Sequence, residues 1–78
     1  MRKRDVLKEL QKICFNYKPS SAYLISEEEC LLCWDILDVH MFLPHLARKL
    51  SQDVVLTIWL HKEPDGCYKA IDVKIRRC

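Results

Sequence analysis

The stretch SEEECLLCWDILDVH, residues 26–40, is dense in both acidic and apolar side chains. The hydroxyl of Ser26 can cap a helix, and Glu29, three residues later, completes the pattern of a capping box. The consecutive glutamates at positions 27–29 also suit the positive end of a helix dipole. We therefore predict a helix over residues 27–37.

A C-x-x-C motif, Cys30 and Cys33, lies inside this predicted helix. At 100° per residue both cysteines fall on its most apolar stripe, where cysteine behaves as a small buried hydrophobe. A zinc site would use His40 and His45, but only six residues separate the cysteine pair from the histidine pair. Zinc fingers leave about 12 residues there, so that the chain can reverse. Two further candidate ligands flank a predicted turn, His61 and Cys67.

A thiol redox site is a third interpretation of the motif. A reactive thiol needs cationic neighbours or a helix N-terminus to favour the thiolate. Cys30 lies near such a helix end, but three glutamates precede it and oppose the negative charge. We therefore predict that both cysteines are core residues, with no metal and no cofactor.

Downstream of this stretch, Pro44 indicates where a turn ends and another helix begins. Proline disfavours a helical conformation for the residue before it and is favoured at the first position of a helix. We predict a turn over residues 38–43 and a third helix over residues 44–52. Leu46, Ala47 and Leu50 would face inward. The opposite face would be polar and mostly basic, with His45, Arg48, Lys49 and Gln52.

Upstream, residues 2–17 carry apolar side chains at the i, i+3, i+4 spacing of an amphipathic helix. Phe15 breaks this pattern, because it falls on the side occupied by Lys8 and Gln11. We expect Phe15 to be exposed or covered by another element. Residues 22–25 fit a short strand.

The last third of the chain predicts a β-hairpin. VVLTIWLH, residues 54–61, is rich in β-branched and aromatic residues, and CYKAIDVKI, residues 67–75, alternates between apolar and polar. In the KEPDG segment between them, Pro64 suits the second position of a type I turn and Gly66 the last. Lys62 would then lie opposite Cys67. One face would carry seven apolar residues: Val54, Leu56, Ile58, Leu60, Ile71, Val73 and Ile75. The other face would carry Trp59, His61, Tyr68, Lys74 and Arg76.

These elements predict an α+β fold of one small domain, residues 1–78, with three helices followed by a C-terminal β-hairpin. Their order resembles that of a winged helix-turn-helix, a resemblance of architecture that no sequence motif supports. It implies that residues 44–52 form a recognition helix and residues 62–66 the tip of a wing. The apolar turn at 38–43 is longer than the usual three or four residues.

Composition narrows the function classes. Half of the residues are apolar and 31% are charged, which is typical of a globular protein. With one glycine in the chain, phosphate-binding loops that need several are excluded. No apolar stretch approaches the roughly 20 residues that cross a bilayer, and no signal-peptide pattern follows the N-terminus. We therefore expect no membrane association, a cytoplasmic or nuclear location, and free thiols for the five cysteines.

Two functions remain as hypotheses, and neither is enzymatic, since the histidines lack a catalytic motif. The first is a small regulator of transcription that binds double-stranded DNA. Arg and Gln can bind base edges, and Lys can bind phosphate. The residues assigned to it are His45, Arg48, Lys49, Gln52, Lys74, Arg76 and Arg77. The alternative is a protein-interaction module, an adaptor or inhibitor, with exposed aromatics as anchors. Those anchors are Phe15, Trp59 and Tyr68. We also expect a homodimer, because a core this small often needs a partner.

Overall fold

The structure, a computed structural model, describes residues 2–15, 23–50 and 52–77. Its elements are α1 (Lys3–Gln11), β1 (Tyr23–Leu24), β2 (Glu29–Asp35), α2 (Ile36–Phe42), α3 (Pro44–Ala47), β3 (Val54–Lys62) and β4 (Tyr68–Arg77). The strands form one antiparallel sheet in the order β1-β2-β3-β4. The prediction of three helices followed by a hairpin, and with it the winged-helix arrangement, is wrong.

The helix predicted over residues 27–37 is strand β2. All seven residues of β2 have partners in β3, from Glu29 opposite His61 to Asp35 opposite Val55. The capping pattern that suggested a helix serves the β1–β2 turn instead. The Ser26 hydroxyl accepts hydrogen bonds from the backbone N–H groups of Glu28 and Glu29, at 3.3 and 3.2 Å. A cap contributes only about 1 kcal/mol, so pairing along a whole strand and burial of its apolar side chains outweigh it.

A helix occupies most of the region predicted to be a turn, residues 38–43. α2 begins directly after β2, and a capping box holds its first turn. The Asp35 carboxylate accepts from the N–H of Asp38 at 3.1 Å, and the Asp38 carboxylate accepts from the N–H of Asp35 at 3.2 Å. The helix ends at Phe42, because Leu43 precedes Pro44 and adopts a non-helical conformation.

The predicted third helix, residues 44–52, is reduced to the four residues of α3. Beyond Ala47 the N–H groups of Lys49 and Leu50 bond to carbonyls three residues back, at 3.0 and 3.3 Å. These short-range bonds tighten the chain into a turn, which carries it towards β3. Residue 51 lies outside the described residues.

α1 is shorter than the predicted helix over residues 2–17 and ends at Gln11. Its buried side chains are Val6 and Leu10. Beyond the helix, Phe15 pairs with Tyr68: each donates its N–H to the carbonyl of the other, at 3.2 and 2.8 Å. Phe15 is therefore half-buried against the core, and this local pairing explains why it breaks the helical pattern. Residues 16 and 17 lie outside the described residues.

The hairpin of β3 and β4 forms, with a different register from the predicted one. The Gly66 N–H bonds to the Glu63 carbonyl at 3.0 Å, so Pro64 is second and Gly66 last in the turn, as expected. Gly66 has φ +89°, which glycine adopts without strain. Lys62 lies opposite Tyr68, not Cys67.

A β-bulge then changes the pairing further along the hairpin. Trp59 lies opposite Asp72 and Leu60 opposite Ala70, so Ile71 has no partner in β3. Ile71 is 48% exposed, and the expectation that it belongs to the core is wrong. Ala70, one residue earlier, is the buried residue of β4 near the turn, and Val73 is buried as predicted.

A disulfide joins Cys14 to Cys67 beside the Phe15–Tyr68 pair. The expectation of free thiols is therefore wrong for these two residues, which lie 53 positions apart in the sequence. Sequence spacing alone does not reveal the pairing, because only the folded chain places the end of the α1 region against the start of β4. The expected location, cytoplasmic or nuclear, stays a prediction.

The core lies on one side of the sheet, which we call the inner face. α1, α2 and α3 contribute Val6, Leu10, Val39, Leu46 and Ala47 to the same cluster as the buried residues of β2, β3 and β4. On β2 and β3 the buried residues alternate along the strand: Cys30, Leu32, Trp34, Val54, Leu56, Ile58 and Leu60. The other side of the sheet, the outer face, carries the residues in between.

Candidate functional site

The outer face is the candidate functional site. Partners across an antiparallel sheet share a face, so the strand pairing places outer-face side chains in cross-strand rows. From one end of the sheet to the other the rows are Glu29–His61–Lys69, Tyr23–Leu31–Trp59–Asp72, Cys33–Thr57–Lys74 and Asp35–Val55–Arg76. No residue of these rows belongs to the buried cluster that the described helices cover.

The first three residues of the second row, Tyr23, Leu31 and Trp59, form an apolar strip across β1, β2 and β3. Tyr23 is 71% exposed, and Leu31 and Trp59 are half-buried. Val55 and Thr57 extend the apolar character along β3 on the same face. Aromatic and apolar groups presented together on an accessible surface are typical of a protein contact surface.

The charges of the outer face are divided between its two sides. Its β2 side carries Glu29 and Asp35, and its β4 side carries Lys69, Lys74 and Arg76. The remaining acidic residue, Asp72 of β4, forms an ion pair of 2.9 Å with Lys3 of α1. This pair and a hydrogen bond from the Val73 N–H hold the pKa of Asp72 below its usual range. The face therefore has an acidic side, an apolar middle and a basic side.

The residues predicted to form a basic recognition face do not share a helix. Of the four, only His45 belongs to α3, and its Nε2 lies 3.0 Å from an Oε atom of Glu9 in α1. Glu9 also pairs with Lys12 at 3.1 Å, and its hydrogen bonds to His45 and Lys12 lower its pKa. Arg48, Lys49 and Gln52 are exposed. Lys49 lines a cleft together with Asp5, Lys8 and Glu9, so two carboxylates and a second cation border the same cleft.

The remaining predicted site residues are divided between the two faces. Lys74 and Arg76 are exposed on the outer face, and Arg77 is exposed at the end of β4. Trp59 lies in the middle of the outer face, on the side of the hairpin that was predicted for it, and its role as a contact anchor stays a prediction. Tyr68 and Phe15 instead pack against the core from the inner side. The one-residue shift near the turn places Tyr68 opposite Lys62 and turns it inward.

The two cysteines of the C-x-x-C motif lie on opposite faces of β2. Cys30 is buried, as predicted, but Cys33 is exposed, and its prediction as a core residue is wrong. The Cys33 Sγ lies 3.8 Å from the hydroxyl of Thr57 on the outer face. Residues three apart in a strand point in opposite directions, so these two thiols cannot bind one ion or form one redox pair. Within the described ranges, no group of three potential ligands converges on a metal position.

Sequence reasoning missed Tyr23, Leu31 and Val55 as surface candidates. The run CLLCW is apolar throughout, which conceals the period of two that would have indicated a strand.

A second exposed apolar group, on α2, was also missed. Leu37, Met41 and Phe42 are 71%, 73% and 54% exposed. Phe42 also stacks on Trp34, with ring centroids 5.0 Å apart.

Comparison of the chain with protein-family models, with curated proteins and with solved structures finds no match in any of the three. Among the helices of residues 2–15, 23–50 and 52–77, none is long and apolar enough to cross a membrane.

Proposed function

We propose that this chain is a small, non-enzymatic protein-interaction module and that the outer face is its contact surface. The observation that carries the proposal is the apolar strip of Tyr23, Leu31 and Trp59 on a sheet face that none of the described helices covers. Soluble proteins rarely leave a joined aromatic and aliphatic surface open unless something binds it.

The balance of charge favours a protein partner over nucleic acid. The rows of the outer face contain three acidic and three basic residues, so their formal charges cancel. DNA binding depends on neutralising phosphates and therefore requires an excess of positive charge at the contact. The short α3 and the pairing of His45 with Glu9 also remove the main support for a recognition helix.

No catalytic role is part of the proposal, because the histidines lie on separate elements with ordinary surface neighbours. His45 pairs with Glu9, and His61 lies 3.7 Å from a carboxylate oxygen of Glu28. His40 is exposed on α2. A surface contact of this kind between a histidine and a carboxylate needs no catalytic explanation.

Site-specific photo-cross-linking tests the proposed surface. A benzophenone amino acid replaces Thr57, in the middle of the outer face, while the protein is expressed in the cells that naturally make it. The matched control carries the same group at Lys49, on the α1–α3 side. We expect discrete protein adducts from position 57 that are lost when Leu31 is changed to Asp, and no such adducts from position 49. Adducts that are the same from both positions, or that survive Leu31→Asp, would contradict the proposal.

A gel shift with duplex DNA tests the competing function. If DNA is the partner, the logarithm of affinity should fall with the logarithm of salt by about 0.9 for each phosphate neutralised. Binding should also be lost in Arg48→Glu/Lys49→Glu, whose side chains are exposed. We expect no shift of the duplex at low salt. A shift that shows both properties would replace the proposal by DNA binding.

A further inference from the structure

We propose that the outer face binds a second copy of the same chain, with the two sheets packed face to face about a two-fold axis parallel to β3. This inference rests on the proposed function and names the partner. The observation behind it is that the charge pattern of the outer face is complementary to itself.

The complementarity follows from the cross-strand rows. Glu29 and Lys69 lie in one row, on either side of His61. Asp35 and Arg76 lie in another, on either side of Val55. In each row the acid is on β2 and the base on β4, with β3 between them.

A two-fold axis that runs along β3, between two facing sheets, places β2 of one copy over β4 of the other. Because this rotation preserves position along the strands, each row meets the same row of the partner. Glu29 then faces Lys69 of the second copy, and Lys69 faces Glu29. Likewise, Asp35 faces Arg76 of the second copy, and Arg76 faces Asp35. The two rows therefore contribute four acid–base contacts to the interface. An interface that uses one surface twice is the usual form of a homodimer.

The other in-plane axis, perpendicular to the strands, gives the opposite result. It places β2 over β2 in reversed direction, so that Glu29 approaches Asp35 of the second copy. The basic residues of β4 would likewise approach one another. The charge pattern therefore favours the dimer whose two-fold axis is parallel to β3, because only this axis brings acidic residues opposite basic ones.

The centre of the proposed interface is apolar. Trp59 and Thr57 of β3 lie near the axis and would meet their own counterparts, and Leu31 of β2 would face Asp72 of the second copy. Asp72 does not oppose the contact with a free charge, since Lys3 of the same chain pairs with it. Sheets packed with nearly aligned strands lie about 10 Å apart, a distance that such side chains fill.

The size of the face indicates a reversible dimer. Three strands about 4.8 Å apart and seven residues long cover roughly 14 by 24 Å, or about 350 Å² in projection. A standard interface buries about 800 Å² of each partner. We therefore expect dissociation in the micromolar range.

A charge-exchange experiment tests the arrangement. The first variant, Glu29→Lys/Asp35→Lys, makes the outer face basic on both sides. The second variant, Lys69→Glu/Arg76→Glu, makes it acidic on both sides. In either variant alone, like charges meet across the two-fold axis, so each should be a monomer where the parent protein is a dimer. In an equimolar mixture each of the four charged contacts again joins an acid to a base, and the mixture should recover the dimer.

Sedimentation of the full chain from about 1 to 200 µM provides the measurement, around the micromolar range expected for a small interface. The control is Arg48→Glu/Lys49→Glu, which makes the same change of charge as the second variant, but away from the outer face, and should dimerise like the parent. Circular dichroism and melting temperature verify that each variant is folded. If a charge variant does not fold, Thr57→Arg replaces it, because this change blocks the centre of the interface and leaves the charges of both sides in place.

A parent protein that stays monomeric over this range overturns the proposal, and so does a mixture that does not associate. Failure of the proposal is distinguishable from failure of the proposed function. If position 57 cross-links a different protein while the purified chain is monomeric, the outer face is a contact surface for that protein, and only the second copy is refuted.

Discussion

The inner and outer faces of β2 are built from alternate residues of one seven-residue strand, and their surroundings are opposite. Leu31 and Leu32 are neighbours of the same type, yet Leu32 is 1% exposed in the core and Leu31 lies in the open apolar strip. Cys33 and Cys30 differ in the same way. The comparison shows that the residue type alone does not determine whether a side chain is buried here. Burial depends on which face of the strand the side chain occupies and on which face the helices cover.

The largest expected effect contrasts these two leucines. Leu32→Ala removes a fully enclosed side chain and should lower the free energy of unfolding by about 2 to 5 kcal/mol. Leu31→Ala should cost less than about 1 kcal/mol, because its side chain remains partly in water. Urea denaturation at low protein concentration checks both values. Equal losses would refute the assignment of the two residues to different faces.

A smaller effect concerns the disulfide that holds the α1 region against β4 on the inner side. Cys14→Ser/Cys67→Ser should lower the free energy of unfolding by about 2 to 4 kcal/mol, because the bond closes a long loop in the unfolded chain. Cys33→Ser, on the outer face, is the matched control and should change stability by less than about 0.5 kcal/mol. Thermal melts with and without reductant give the same comparison. A parent protein whose melting is insensitive to reductant would contradict the disulfide.

The smallest expected effect concerns Asp72, the outer-face residue of β4 that pairs with Lys3 of α1. Lys3 lowers the pKa of Asp72, so the ion pair stabilises the fold above the usual pKa of an aspartate. That contribution is lost as the pH falls through the lowered pKa. Asp72→Asn should therefore reduce the urea midpoint slightly at neutral pH, and this difference should disappear as the pH falls through the lowered pKa of Asp72. A difference that persists at acid pH would show that the side chain acts through packing.

The sequence predicted the parts of the fold that local signals determine. α1 begins close to the predicted position because its apolar spacing is clear, and the Glu63–Gly66 turn forms because Pro64 and Gly66 suit it. The register of the hairpin could not be predicted. The turn is one residue longer than predicted, and a bulge at Ile71 shifts the pairing of β3 with β4 once more. Neither feature changes the alternation of apolar and polar residues enough to be recognised from the sequence.

The region from 26 to 50 was predicted wrongly because local and long-range signals compete there. Ser26 and Glu29 match a helix cap, but their hydrogen bonds suit a turn between strands equally well. The true capping box, Asp35 and Asp38, lies nine residues further on and was assigned to a helix end and a turn. Pairing with β3 makes this segment a strand rather than a helix, and no local sequence pattern indicates that pairing.

The candidate surface was predicted in part. Trp59 was correctly predicted to face away from the core, because buried and less buried residues alternate along β3. Tyr23 and Leu31 were not, since their membership of the same strip depends on the order of the strands. The division of charge between β2 and β4 likewise becomes visible only when the strand order is known.

The exposure of the Leu31 and Leu32 methyl groups tests the account most directly. Their NMR relaxation by a soluble paramagnetic probe reports the contact of each side chain with solvent. At low micromolar concentration we expect strong relaxation for Leu31 and almost none for Leu32. At several hundred micromolar, Leu31 should become protected as the outer faces associate, and Leu32 should not change. Similar relaxation of both leucines would contradict the two-faced strand, and a Leu31 signal that does not depend on concentration would contradict the binding of a second copy.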